Sequence, residues 1–432
     1  MRILFLTARL PYPPNRGDRL RAYHFLRVLS REHRITLLSF IDDSREAGHV
    51  AALRPFCEDI QLVRRAGWQG AVGAALGAWR PLPLQSLYYR SPVMRGAVDR
   101  LLRREAFDVV YVHLFRMAQY VADRFRPYRI LDLTDAISGE VARALPYRDP
   151  FWRLVYRLEL PRIRRYERAM VGQFDETWVI SEAERAAIAA AVGAGGGGDG
   201  RPPPARRGGG GGGGGGRGRG GGGAGGGAGA GAVGGGVGGD GRPPPNLRVV
   251  ANGVETERYR PQLRPAGGAA LVFVGHMGVF HNVDAAVRLA EGILPRVRAA
   301  VPGARLELIG TEPAARVRAL AGLPGVGVRG HVVDLNAALN EAAVFVAPLR
   351  FAAGVQNKVL EAMAAGLPVV TTREVNEGLR ATPGEQLLLA DDDAELAAAV
   401  VGLLGDAAER ARLGQAGRAF VLERFRWEAV GE

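Results

Sequence analysis

The chain has 432 residues, 47% of them apolar, a single cysteine and a formal net charge of +13. Such a length is enough for two or three domains with their own cores. The lone Cys57 excludes an intramolecular disulfide and a cysteine-based zinc site, and fits a reducing cytoplasm. Of the 57 basic residues all but Lys358 are arginine, and they are unevenly spread: residues 1–192 carry 31 basic against 21 acidic residues, 193–245 carry 6 against 2, and 246–432 carry 20 against 21. A basic first half suits an anionic partner, whether nucleic acid, an anionic membrane leaflet or a phosphorylated acceptor.

From the N-terminus, the apolar run Ile3 to Leu6 stops at Thr7 and Arg9, too short for a signal-peptide core, and reads as a first strand. A Pro- and Gly-rich loop, a helical pattern at DRLRAYHFLRVLSRE and a strand at RITLLSF follow. No stretch reaches the roughly 18 to 20 apolar residues that span a bilayer. The nearest, AGWQGAVGAALGAW between Arg65 and Arg80, reads as a loosely packed surface helix or loop; its two tryptophans admit a second reading, a segment resting on a membrane interface. FDVVYVH, YRILDLT and ETWVIS are short buried strands.

Residues 193–245 are dominated by Gly with some Arg, Ala and Pro, too little apolar surface to offset the entropy of ordering, so disorder is expected. An RNA-binding role for its RGRG stretch would need aromatic residues for base stacking, and the insert has none. After it, LRVVAN, ALVFVGH, ARLELIG, VGVRGHV, AVFVAPL and PVVTT alternate with helical patterns. Repeated β-α units imply parallel sheets with helices on both faces, hence an α/β chain of two Rossmann-like domains facing a cleft. The expected division is 1–192, the insert 193–245, a linker 246–265, a second domain 266–418, and a C-terminal segment 419–432 packing back on the first.

In GVQNKVLEAMAAGLP a turn follows strand AVFVAPL and opens a helix, at the carboxyl edge where open α/β sheets bind ligands. Gly354 allows close backbone approach, and the amides of Val355, Gln356 and the helix start can hold a phosphate. Lys358 and Glu361, three apart, share a helix face, one suited to phosphate oxygens and the other to sugar hydroxyls. Lysine is a compact point charge, narrower than a planar guanidinium beside a tight glycine turn. The acidic run Asp391 to Asp393 reads as a helix N-cap rather than a metal site.

These residues resemble glycosyltransferase family 4 of the GT-B fold, in which an acid, seven residues and a Glu precede an Ala-Met-Ala-x-Gly-x-Pro-Val-like segment. LEAMAAGLPVV fits, with Glu361 as the second acid; Ala353 stands at the place of the first. The resemblance implies that Glu361 binds the nucleotide ribose. It also implies that Gly17 admits the donor diphosphate and acceptor, and that His113 lies near the donor sugar. FVGHMGVFHNVDA matches the strand and loop where relatives carry an Arg and a Lys against the diphosphate; here Gly275 is followed by His276, and Asn282 takes the second place. PYPPNRGDRLRAYH, PLPLQSLYYRSP and PLRFAAGVQNKVLEAMAAG are most similar to the sugar transferases associated with PEP-CTERM and exosortase systems.

The resemblance implies a retaining, metal-independent glycosyltransferase without a cofactor. A nucleotide sugar is the donor, and a growing exopolysaccharide or a polyprenyl-diphosphate-linked saccharide is the acceptor. The leaving phosphate would take the acceptor's proton, so no side chain is required as a strong base. The expected place is the cytoplasm, peripheral at the inner face of the membrane, without nucleic acid. Two alternatives stay open: a non-catalytic nucleotide-sugar-binding partner in polysaccharide assembly, and a GT-B nucleotide-sugar epimerase.

Overall fold

The computed structural model describes residues 1–123, 127–134, 136–193, 246–262, 268–351 and 354–431. Residues 194–245 of the expected 193–245 insert, and Ala353, lie outside the described residues.

Two parallel sheets organise the chain. The first has the order β3-β2-β1-β4-β5-β6-β7, from β1 (Arg2–Thr7), β2 (Arg34–Ile41), β3 (Asp59–Arg64), β4 (Val109–His113), β5 (Tyr128–Thr134), β6 (Glu176–Val179) and β7 (Leu247–Val249). The second has the order β10-β9-β8-β11-β12-β13, from β8 (Ala270–Val274), β9 (Arg305–Ile309), β10 (Val326–Arg329), β11 (Val344–Ala347), β12 (Val369–Thr371) and β13 (Leu388–Leu389). Helices cover both faces, so central strands are apolar throughout: every residue of β4, β8 and β11 is buried. Asp392, as expected, caps a helix, accepting a hydrogen bond from the Glu395 amide.

β3 and β13 add to the sequence reading. DIQLVR mixes polar and apolar residues because it is an edge strand, and β13 has only two residues. The chain after the insert does not start as a free tether, since Leu247, Arg248 and Val249 pair with Thr177, Trp178 and Val179 at the edge of the first sheet.

The chain then passes to the second domain and returns. Val254 pairs with Arg426, and its amide bonds the Phe425 carbonyl at 2.7 Å. The last helix, Trp427–Gly431, lies on helix Gly17–Leu29 of the first domain, with Trp427 stacked on His24 at 4.4 Å between ring centroids. Gly253 makes room for this crossing: a Cβ there would fall 2.6 Å from the Trp427 ring. Among the described residues no helix is long and apolar enough to cross a membrane.

Trp427 is 3% exposed and packs into the first domain's core. Trp427→Ala is expected to lower stability by roughly 3–5 kcal/mol, read as a shift in the urea midpoint; a loss below about 1 kcal/mol would show that this residue does not fasten the C-terminal segment.

Candidate active site

Ligands of open parallel sheets collect at the carboxyl ends of strands where the strand order reverses. In the first sheet that point lies between β1 and β4, and in the second between β8 and β11. Among the described residues, Gly17 and His113 lie near the first point and Gly275, His276, Asn282, Gly354, Val355, Gln356, Lys358 and Glu361 near the second, and the two face each other.

On the first domain's side, His113 ends β4 at 2% exposure, with Nε2 3.3 Å from the Thr134 hydroxyl at the end of β5. Burial pushes its imidazole down to about 4, against the pull of Asp132 and Asp18. His113 is therefore neutral near pH 7 and offers a hydrogen bond, not a cation. Gly17 begins helix Gly17–Leu29, and a Cβ there would lie 3.9 Å from the Asn357 side-chain nitrogen of the second domain. Beside it Arg9 binds Asp18 at 2.9 Å. Burial favours the neutral acid at Asp18, but Arg9, His113 and Arg116 outweigh it and hold the carboxyl below its ordinary range.

On the second domain's side, Gly275 follows β8. A Cβ on Gly275 would strike the Asn282 side chain at 2.8 Å, and one on Gly310 would fall 1.6 Å from the Gly275 carbonyl, so the backbone is tightly packed here. The His276 ring accepts from the Gly278 amide at Nδ1 (3.2 Å) and faces Glu312 with Nε2 (3.4 Å). Asn282 is buried and donates to the His276 carbonyl at 3.0 Å. Gly354, at φ +52°, takes the left-handed conformation that glycine adopts without strain. Val355 packs in the second-domain core, leaving only its backbone for a ligand. Gln356 is the N-cap of helix Asn357–Ala364.

Lys358 lies on the first turn of that helix. Its ammonium donates to Asn282 Oδ1 and stands 5.1 Å from the centre of the Phe273 ring. By sequence alone Asn282 stands where a cation is expected. The structure makes it and Lys358 a pair, because Asn282 holds the ammonium through its oxygen and the His276 backbone through its nitrogen. Burial pushes Lys358 down to about 7 despite the pull of Glu361. Glu361, one turn on, bonds Tyr259 and is pushed up to about 7 by burial, against Arg258. It borders a shallow pocket between the domains, whose lining includes Pro14, Leu20, Glu255, Arg258, Tyr259 and Asn357.

Four contributors were invisible in the sequence. The Arg148 guanidinium crosses from the first domain and sits 3.9 Å above the Phe280 ring, and Tyr147 stacks on Phe351 at 5.1 Å. His281 lies among these groups; burial, Lys358 and Arg148 push it down to about 3. Asn357 accepts from Asn252 at 3.1 Å, joining the linker to the start of the lysine helix. An anion entering between Arg148 and Lys358 would meet positive charge from both walls in a poorly solvated place, where electrostatic attraction is strong.

Two layers with facing carboxyl edges define a GT-B fold. Residues 268–406 match the family model described as Glycosyl transferases group 1, and a search of curated proteins finds no match. Among solved structures, the chain is similar to Anabaena HepE in complex with UDP-glucose (14% identity, TM-score 0.60, covering 100% of this chain and 97% of that one). It is similar to sucrose-phosphate synthase from Thermosynechococcus elongatus (16%, 0.65, 100% and 96%) and to a glycosyltransferase from Rickettsia africae (8%, 0.57, 99% and 95%). These likenesses show the fold, and the family match over residues 268–406 supports an enzyme of the glycosyltransferase type.

If Lys358 binds a diphosphate as its ammonium, affinity for UDP falls as pH rises from 6 to 9, because the group loses its proton from about 7 upward. Titration calorimetry of Lys358→Met should show weaker binding and no such fall; an equal pH dependence in the variant would remove Lys358 from the site.

Proposed function

We propose that the protein is a retaining, metal-independent glycosyltransferase of family 4 type that moves a sugar from a nucleotide sugar to a growing exopolysaccharide or a lipid-linked saccharide. The observation that carries this reading is the buried Lys358–Asn282 pair, one helical turn from Glu361, at the switch point of the second sheet. The helix amides and Lys358 would meet the diphosphate, and Glu361 the ribose. Because HepE holds UDP-glucose, a uridine nucleotide is the first donor to test.

Metal independence is supported by the protein's own charges at the cleft: Lys358 and Arg148 both act on His281, and together they would supply counter-charge to a diphosphate. Retention is supported by the carboxylate chemistry of the first domain. Asp18 is engaged by Arg9 and Asp132 by Arg21, each held below its ordinary range, so neither of these two is tuned toward neutrality as a general base. The leaving phosphate would then accept the acceptor's proton on the near face. The likeness to PEP-CTERM-associated transferases supports exopolysaccharide assembly as the setting.

A screen of nucleotide sugars with lipid extracts as acceptor source tests the activity. Acceptor-dependent nucleotide release that survives EDTA, and an anomeric configuration retained in the product by NMR, are expected. Activity lost to EDTA and restored by Mg²⁺, or an inverted product, would contradict the mechanism. Glu361→Ala should weaken UDP binding roughly tenfold or more, the scale of a hydrogen bond to a charged group; unchanged affinity would remove Glu361 from the ribose contact.

A further inference from the structure

Helix Gly67–Gly77 is built inside out. Two of its glycines face inward: a Cβ at Gly70 would fall 2.7 Å from the Tyr88 carbonyl, and one at Gly77 2.9 Å from Leu87, so these two seat the helix against Leu84–Tyr88. Its large residues face outward, with Trp68 67%, Leu76 74% and, just beyond the helix, Trp79 78% exposed. In water the reverse is favoured, because each large apolar side chain left exposed forgoes about 1.5–3 kcal/mol.

A second apolar stripe lies alongside. Phe151, Leu154 and Leu158 are exposed on helix Pro150–Val171 at spacings of three and four, which place them on one helix face. The Leu84 amide donates to Glu159 of this helix at 2.8 Å, so helix Leu84–Tyr88 joins the two stripes. Most of the large apolar residues exposed among the described ones fall on these two helices and their flanks.

The surrounding charge is predominantly positive, with Asp149, the exposed N-cap of helix Pro150–Val171, as an acidic exception. From Ile60 to Val98 there are five arginines and no acidic residue. Helix Pro150–Val171 carries six arginines, and its two glutamates, Glu159 and Glu167, are buried. Arg64, Arg90, Arg157, Arg164 and Arg165 are exposed.

We propose that this face seats on an anionic lipid bilayer, with Trp68, Leu76, Trp79, Phe151, Leu154 and Leu158 entering the boundary between headgroups and acyl chains and the arginines meeting lipid phosphates. Tryptophan at both ends of a short uncharged helix suits the headgroup depth. A second copy is disfavoured as occupant, because self-association would set one basic rim against another. Helix Pro150–Val171 begins two residues after Arg148, which touches Phe280 at the cleft, so the bilayer would lie at the cleft mouth. This last point deepens the lipid-linked acceptor reading and rests on it; the docking itself does not.

The full chain should float with vesicles of mixed phosphatidylcholine and phosphatidylglycerol and not with phosphatidylcholine alone. Replacing Trp68, Leu76 and Trp79 together by Ser should lower vesicle affinity at least about tenfold, given the apolar area withdrawn, and Arg157→Glu with Arg164→Glu should lower it independently. Both variants should bind UDP as the parent chain does, which separates docking from the donor site. Vesicle binding that is absent, indifferent to lipid charge or unchanged by the Ser variant would overturn the proposal. So would a dimer, seen by sedimentation velocity, that the Ser variant abolishes.

Discussion

The ion pair between Arg21 and Asp132 sets the frame on which the rest depends. Both side chains are at 0% exposure and their contact is 2.7 Å. Removing such ions from water costs several kcal/mol each unless other hydrogen bonds satisfy them. Here they do: Asp132 accepts from the Tyr111 hydroxyl and the Thr134 amide, and Arg21 donates to the Ala251 carbonyl and Asn252. Asn252 in turn donates to Asn357. One continuous chain of polar contacts therefore runs from β5 of the first sheet through the linker to the helix that carries Lys358, and fixes the register of the two cleft walls.

The same economy of charge governs the cleft. His113 is kept neutral, Asp18 and Asp132 are kept ionised by arginine, and Lys358 is held near the point of losing its proton. A cation desolvated in advance interacts strongly with an arriving anion and needs little reorganisation to do so. Lysine fits this position better than arginine because its ammonium can be desolvated to a pKa near neutrality, whereas a guanidinium stays charged. Asn282 supplies an oxygen to orient the ammonium without neutralising it.

Much of the architecture was legible in the sequence because strands buried on both faces read as unbroken apolar runs, as in Ala270–Val274 and Val344–Ala347. Edge strands were not: Asp59–Arg64 presents mixed chemistry because one flank meets solvent. Lys358 and Glu361 stood out by composition and motif. Their partners did not, since Asn282 lies 76 residues away and looks like a missing cation until its oxygen is seen to hold the lysine. Arg21 and Arg148 were hidden among 56 arginines with nothing local to single them out. The Trp-bearing helix was recognised as a surface segment, but its inverted packing depends on contacts between Gly70, Gly77 and a helix further along the chain. Asn252 carries no local signal; its burial and its bond from Arg21 make it the joint between domains.

The single lysine makes the central claim open to direct measurement. Lysine-selective ¹⁵N labelling of the intact chain gives one side-chain amine signal, whose shift reports protonation. A midpoint near 7 in the free protein is predicted, moving upward when UDP is added, because the diphosphate stabilises the ammonium. A midpoint near lysine's ordinary 10.5, unaltered by UDP, would contradict a desolvated donor-binding cation at this position.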